Sequence, residues 1–108
     1  MDKIPQVVTR FSHIVVFWTD PANPNATNEL LAGANQLLTN IPGVIQFNAG
    51  KMTPSHRPVV EQSYQMALNL IFANKPAEQA YQTHPKHVEF VEKYVRRLVK
   101  KIVIYDFE

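Results

Sequence analysis

His13-Ile14-Val15-Val16-Phe17-Trp18 is the stretch that decides the architecture of this chain. Its β-branched and aromatic residues suit a pleated strand. Side chains alternate across a strand, so His13, Val15 and Phe17 point one way and Ile14, Val16 and Trp18 the other. A strand facing water on one side shows polar residues at every second position. This one does not: after His13 both sides are apolar. The pattern returns twice: Met66, Leu68, Leu70 and Phe72 oppose Ala67, Asn69 and Ile71, and Ile102 and Ile104 oppose Val103 and Tyr105. A sheet made of such strands needs cover on both faces.

On either side of that stretch the first strand extends to about Arg10 and Thr19. Asp20-Pro21-Ala22-Asn23-Pro24-Asn25 reads as a loop. A helix follows from about Thr27 to Thr39, with Leu30, Ala34, Leu37, Leu38 and Ile41 at helical spacing. Asn25 or Thr27 is placed to cap it, and Pro42-Gly43 ends it. A second strand is expected over Val44–Met52, a loop over 53–62 and a third strand over Ser63–Ala73. Asn74-Lys75-Pro76 starts a short helix carrying Ala77, Ala80 and Tyr81. Another helical segment begins near Pro85, with Val88, Val91, Val95 and Leu98 three or four apart, before a last strand at Lys101–Phe107. Residues 1–9 read as a polar, partly mobile arm, and 10–108 as one domain.

The order β-α-β-β-α-β is that of the ferredoxin-like fold, an α+β class with a four-stranded antiparallel sheet and its helices on one face. The other face, apolar and bare, calls for a second copy packed about a two-fold axis. The expected partner is therefore the chain itself, in a homodimer through the sheet face. The alternative is a monomer whose bare face is covered by the arm and the 53–62 loop, both short and polar.

Composition narrows the function. With 45% hydrophobic and 19% charged residues, the 108-residue chain is globular rather than disordered. A net charge of +2 does not demand a nucleic acid. Lys93, Arg96, Arg97, Lys100 and Lys101 read as a solvated helix end, where cations are favourable, and Tyr94 alone among them makes no base-stacking platform. The absence of cysteine excludes disulfides and thiolate chemistry and fits a cytoplasmic home. The longest apolar run, Ile14–Trp18, is too short for a membrane span, and no signal-peptide pattern opens the chain. Three glycines make no phosphate-binding loop, and no G-x-S-x-G elbow occurs. No cofactor is implied.

Chemistry concentrates in Tyr81-Gln82-Thr83-His84-Pro85-Lys86-His87-Val88-Glu89-Phe90. His84 precedes a helix-starting proline and takes the cap position. His87 falls in the first turn, where the positive helix end disfavours the imidazolium and leaves a neutral general base. Tyr81 offers a phenolic donor to a carbonyl or enolate. His13 faces the same space from the first strand. The competing reading is that these groups satisfy helix ends and pack the core. His84 and His87, three apart, with His13 or His56, form a weak metal pattern without a third carboxylate ligand, so no metal is expected. Asp106 and Glu108 read as strand-end solvation or a dimer contact.

Ser12-His13-Ile14-Val15-Val16-Phe17, Ile41-Pro42-Gly43-Val44, the Tyr81–Val88 segment and the ending Tyr105-Asp106-Phe107 together resemble the stress-responsive A/B barrel (Dabb) domain, from about residue 10 to 108. The resemblance implies a dimeric α+β barrel, with two ferredoxin-like sheets face to face and the His13, Val15, Phe17 side toward the helices. The family includes plant stress-induced proteins and a plant polyketide cyclase. The cyclase's catalytic His and Tyr match His87 and Tyr81, and its first-strand His matches His13. One residue is inserted here between the His-Pro-x-His element and the last strand. The resemblance implies a pocket between sheet and helices, walled by Val15, Phe17, His84 and Phe90, that binds a small apolar or aromatic ligand. The alternative is a cofactor-independent cyclase or lyase in which His87 is the general base while Tyr81 and His13 orient the oxygen.

Overall fold

The stretch around Val15 lies in the interior of the sheet. In the computed structural model, which describes residues 10–108, β1 (Phe11–Thr19) pairs antiparallel with both β3 (Met66–Phe72) and β4 (Val99–Phe107). β2 (Val44–Lys51) flanks β3, giving the order β2-β3-β1-β4. This is the expected α+β, ferredoxin-like sheet. Val15 stands opposite Leu68 and Ile104, and His13 opposite Leu70 and Asp106. The arm assigned to residues 1–9 lies outside the described residues.

The helices cover one face. α1 (Ala26–Leu37) buries Ala26, Leu30, Ala34 and Leu37, the stripe its spacing dictates. Gly33 on the same helix is buried because the Tyr94 ring lies against it; a Cβ there would sit 2.7 Å from a ring carbon. Gly43 has φ 93°, the left-handed conformation that ends the following turn without strain. α2 (Lys75–Gln82) is capped by Asn74, whose Oδ1 accepts the Ala77 N–H at 2.9 Å, with Pro76 in the first turn as expected. α3 (Pro85–Phe90) continues without a break through a π-helical turn, Val91–Val95, and a last α turn, Arg96–Leu98. A π turn accommodates one extra residue in a helix.

The face toward the helices is the one bearing His13, Val15 and Phe17, and Met66, Leu70 and Phe72 beside them are fully buried. Hydrophobic burial on this side, at roughly 1.5–3 kcal/mol for each large side chain, is what holds helices to sheet.

Element ends shift by one to three residues from the sequence expectation, α1 ending at Leu37 rather than Thr39, and the starts of α1, β3 and β4 show why. Asn25 occupies the N-cap position of α1 but makes no side-chain cap bond. Thr27 instead shares a hydrogen bond with Thr19, Oγ1 to Oγ1, at 3.1 Å. β3 begins at Met66 rather than Ser63, because Ser63 turns to the Trp18 indole and Glu61 while Gln65 serves Thr19. β4 begins at Val99, two residues before Lys101, because a register shift between Trp18 and Thr19 lets Thr19 pair with Val99. Among the described residues no helix is long and apolar enough to cross a membrane.

Candidate functional site

Four elements converge where α2, α3 and the β1–β4 pair meet. A cavity of about 170 Å³ opens there, walled by Val15, Phe17, Leu68, Phe90, Val91 and Val95 and edged by Ile102 and Ile104. His13, Tyr81 and His87 supply its polar groups. Each arrives for a local reason. His13 is on the inward face of β1. Tyr81 is on the inward face of α2, its ring against Phe72 at 5.2 Å. His87 comes from the first turn of α3, and its ring centroid lies 4.6 Å from that of Tyr81.

The hydrogen bonds fix the state of His87. Its Nδ1 lies 2.9 Å from the Gln82 carbonyl oxygen, which only accepts, so Nδ1 carries the proton. The neutral ring then has its lone pair on Nε2. Burial holds His87 below the ordinary imidazole value; the Gln82 bond and the Glu78 charge oppose that, and His13 adds to it. The direction agrees with the helix-end argument, but desolvation is the larger cause. Burial also raises the Tyr81 phenol far above its ordinary value, and the Glu78 charge pushes the same way. Tyr81 is therefore a neutral donor at any physiological pH.

His13 is anchored from behind. Its Nδ1 donates to Asp106 Oδ1 at 2.5 Å, and Glu78 Oε2 is 3.8 Å from the same nitrogen. Glu78 Oε2 in turn accepts from Gln82 Nε2 at 2.5 Å. Neither carboxylate is evident as a site residue in the sequence. Asp106 reads there as strand-end solvation, yet the β1–β4 register sets it directly across from His13. Glu78 was missed because a glutamate on a short helix reads as solvent-facing. The available signal was its spacing: three residues before Tyr81, it shares the face that Tyr81 buries.

Of the expected wall residues, Val15, Phe17 and Phe90 line the cavity. His84 does not. Its Nδ1 accepts the Lys86 N–H at 3.1 Å and caps α3, so its role is to hold the turn that carries His87. His84 and His87 use Nδ1 for these helix-end bonds, and His56 is exposed in the 53–62 loop.

Residues 11–108 match the stress responsive A/B barrel domain. The chain belongs to this family. A stress-response A/B barrel domain-containing protein of Arabidopsis thaliana is 33% identical over 99 residues, covering 90% of this chain and 84% of the relative. Among solved structures, a Dabb family protein with a ferredoxin-like fold from Mesorhizobium loti superposes with TM-score 0.74 at 26% identity, covering 92% of this chain and 95% of that one. A hydroxynitrile lyase from Passiflora edulis superposes with TM-score 0.70 at 18% identity, covering 91% of each chain. Other structures sharing the fold are bacterial proteins described as dimeric and ferredoxin-like.

Proposed function

We propose that this Dabb protein is a homodimer that binds a small apolar or aromatic molecule, bearing a carbonyl or hydroxyl oxygen, in the cavity between sheet and helices. The cavity carries the reading: apolar walls with a few convergent polar groups are the usual form of a small-molecule site. At about 170 Å³ it suits a single aromatic ring, since a dry cavity of roughly 150 Å³ accepts benzene. Thermal-shift titration with phenolic and β-keto compounds is the test. Stabilisation of the wild type that shrinks in Tyr81→Phe and His87→Ala supports it. Equal shifts in a Val91→Trp variant, whose side chain fills the cavity, would sink it.

The dimer rests on the bare face, where Ile14, Val16 and Val103 are half-buried and Tyr105 is 58% exposed in the single chain. Trp18 at its end is already covered, by Tyr64 and by Lys101 Nζ 4.5 Å from the ring centroid. The open hollows on this face, about 290 and 370 Å³, lack the His–Tyr convergence and suit a second copy. Dimeric relatives with the same fold support this reading.

A second reading is favoured by the Nε2 lone pair of His87 beside the Tyr81 donor: a cofactor-independent lyase or cyclase in which His87 removes a proton α to a carbonyl and Tyr81 steadies the oxygen. A lyase with this fold exists in Passiflora edulis. Base catalysis of this kind is worth about 10²–10⁴-fold. Deuterium exchange of β-keto compounds followed by NMR tests it. Exchange above the buffer rate that His87→Ala abolishes supports turnover; none leaves binding alone.

A further inference from the structure

Glu78 sits in an unusual electrostatic position. It is 2% exposed, yet its only hydrogen-bond partner among the described residues is the neutral Gln82 amide. A buried carboxylate needs a compensating positive charge or several donors. Lys93, Arg96, Arg97 and Lys100 are paired with Glu89, Glu92, Glu29 and Asp20, and none of these cations serves it. The nearest group able to carry positive charge is His13, 3.8 Å away, and it is already engaged by Asp106. Two carboxylates thus converge on one imidazole nitrogen. They come from separate elements: Glu78 from α2, Asp106 from β4, His13 from β1.

One ligand atom from each of the three lies within 4.8 Å of the others. An ion held at about 2.0–2.2 Å from each ligand sets them at most ~4.4 Å apart, a closure that small side-chain rotations supply. The Asp106 side chain is 41% exposed, while those of His13 and Glu78 are 6% and 3% exposed. One side of the cluster therefore opens to solvent, for a hydrated ion to arrive and keep a water. The protein side is closed.

We propose that His13, Glu78 and Asp106 form a binding site for one divalent first-row transition ion, of which Zn²⁺ and Mn²⁺ are the types. The mixed donor set decides the class. Imidazole suits Zn²⁺ and its neighbours, carboxylates suit Mn²⁺ as well, and Mg²⁺ prefers oxygen with its waters. The ion takes the place of the Nδ1 proton between His13 and the carboxylates. It leaves the His13 Nε2–H as a fixed donor on the far side of the ring, whichever ligand the cavity binds. The site differs from the His84–His87 pattern in the sequence, because its carboxylates are Glu78 and Asp106 and neither of those two rings belongs to it.

The experiment is calorimetric titration of chelator-treated protein with Zn²⁺, Mn²⁺ and Mg²⁺, paired with thermal shift. The expected result is one Zn²⁺ or Mn²⁺ per chain, a raised melting temperature and no Mg²⁺ response. Glu78→Gln and Asp106→Asn should each weaken binding by at least ~100-fold, since even outer partners of a metal are worth about 10–100-fold. His84→Ala should leave the affinity within about twofold, because second partners of that scale are absent there. Binding that survives Glu78→Gln, or that is lost in His84→Ala, overturns the proposal. If Glu78→Gln fails to fold, Asp106→Asn, on the exposed side, decides alone. A His13 Nδ1 proton signal that persists in saturating Zn²⁺ overturns it as well, because the site is then held by that proton.

Discussion

The two faces of β1 carry the same kinds of residue and meet opposite fates. Phe11, His13, Val15 and Phe17 are 4%, 5%, 6% and 2% exposed. Ile14, Val16 and Trp18, one step away along the chain, remain half-buried. Burial therefore follows from what the fold sets against each face, not from residue type. The helix side is itself uneven. Leu30, Leu38 and Leu98 are fully buried, while Ile102 and Ile104 at the β4 edge are 42% and 51% exposed. The cavity lies at that uneven edge, where the helices stop short of β4.

The contrast can be broken by mutation. On the packed face Phe72→Ala should cost about 3–5 kcal/mol, read by urea unfolding, with the oligomeric state of the folded fraction unchanged. On the bare face Val16→Asp should do the reverse. It sets an unpaired charge against the partner, which costs several kcal/mol, so the dimer constant should fall by at least ~100-fold in light scattering while the single chain still folds. A dimer that tolerates Val16→Asp would place the interface elsewhere.

Smaller effects sharpen the cavity end. Asn74→Ala removes the cap of α2 and should cost about 1 kcal/mol. Titration of stability gives a sign. His87 is held below its ordinary value by burial. The unfolded chain therefore takes up a proton first as pH falls, and the stability His87 contributes is complete above about 6.5 and lost below it. Melting curves between pH 7 and 5 should show that slope, and His87→Gln should flatten it. Tyr81 is shifted the other way, so its contribution is complete below about pH 10 and fades above. The smallest change is expected for Arg97→Ala, whose exposed pair with Glu29 is worth under ~1 kcal/mol.

Much of the fold is legible because it rests on local periodicity. Alternation sorts β1 and β3 into two faces, the family resemblance chooses the inward one of β1, and the α1 stripe and the Asn74-Lys75-Pro76 start are short-range signals. Strand ends are less legible, since the Ser63 and Gln65 side chains serve Trp18 and Thr19 across the sheet. In the site, His13, Tyr81 and His87 stand out as residue types rare among apolar neighbours. Asp106 does not, because its meaning comes from pairing with a residue 93 positions away. Glu78 is hidden for a different reason. Its burial is imposed by Tyr81 on the same helix face, and only the docking of α2 reveals it.

The π turn at Val91–Val95 has a consequence for how this helix tolerates change in length. Each residue of an α-helix advances the face by about 100°. Without the wider turn, the extra residue would rotate Leu98 out of the core while His87 stayed in place, or the reverse. The turn works as a phase corrector: it keeps the histidine at one end and the leucine anchor at the other aimed at the same sheet. Deleting Glu92 should let the helix run as a plain α-helix with those two ends still in step, whereas an insertion outside the turn should put them out of step.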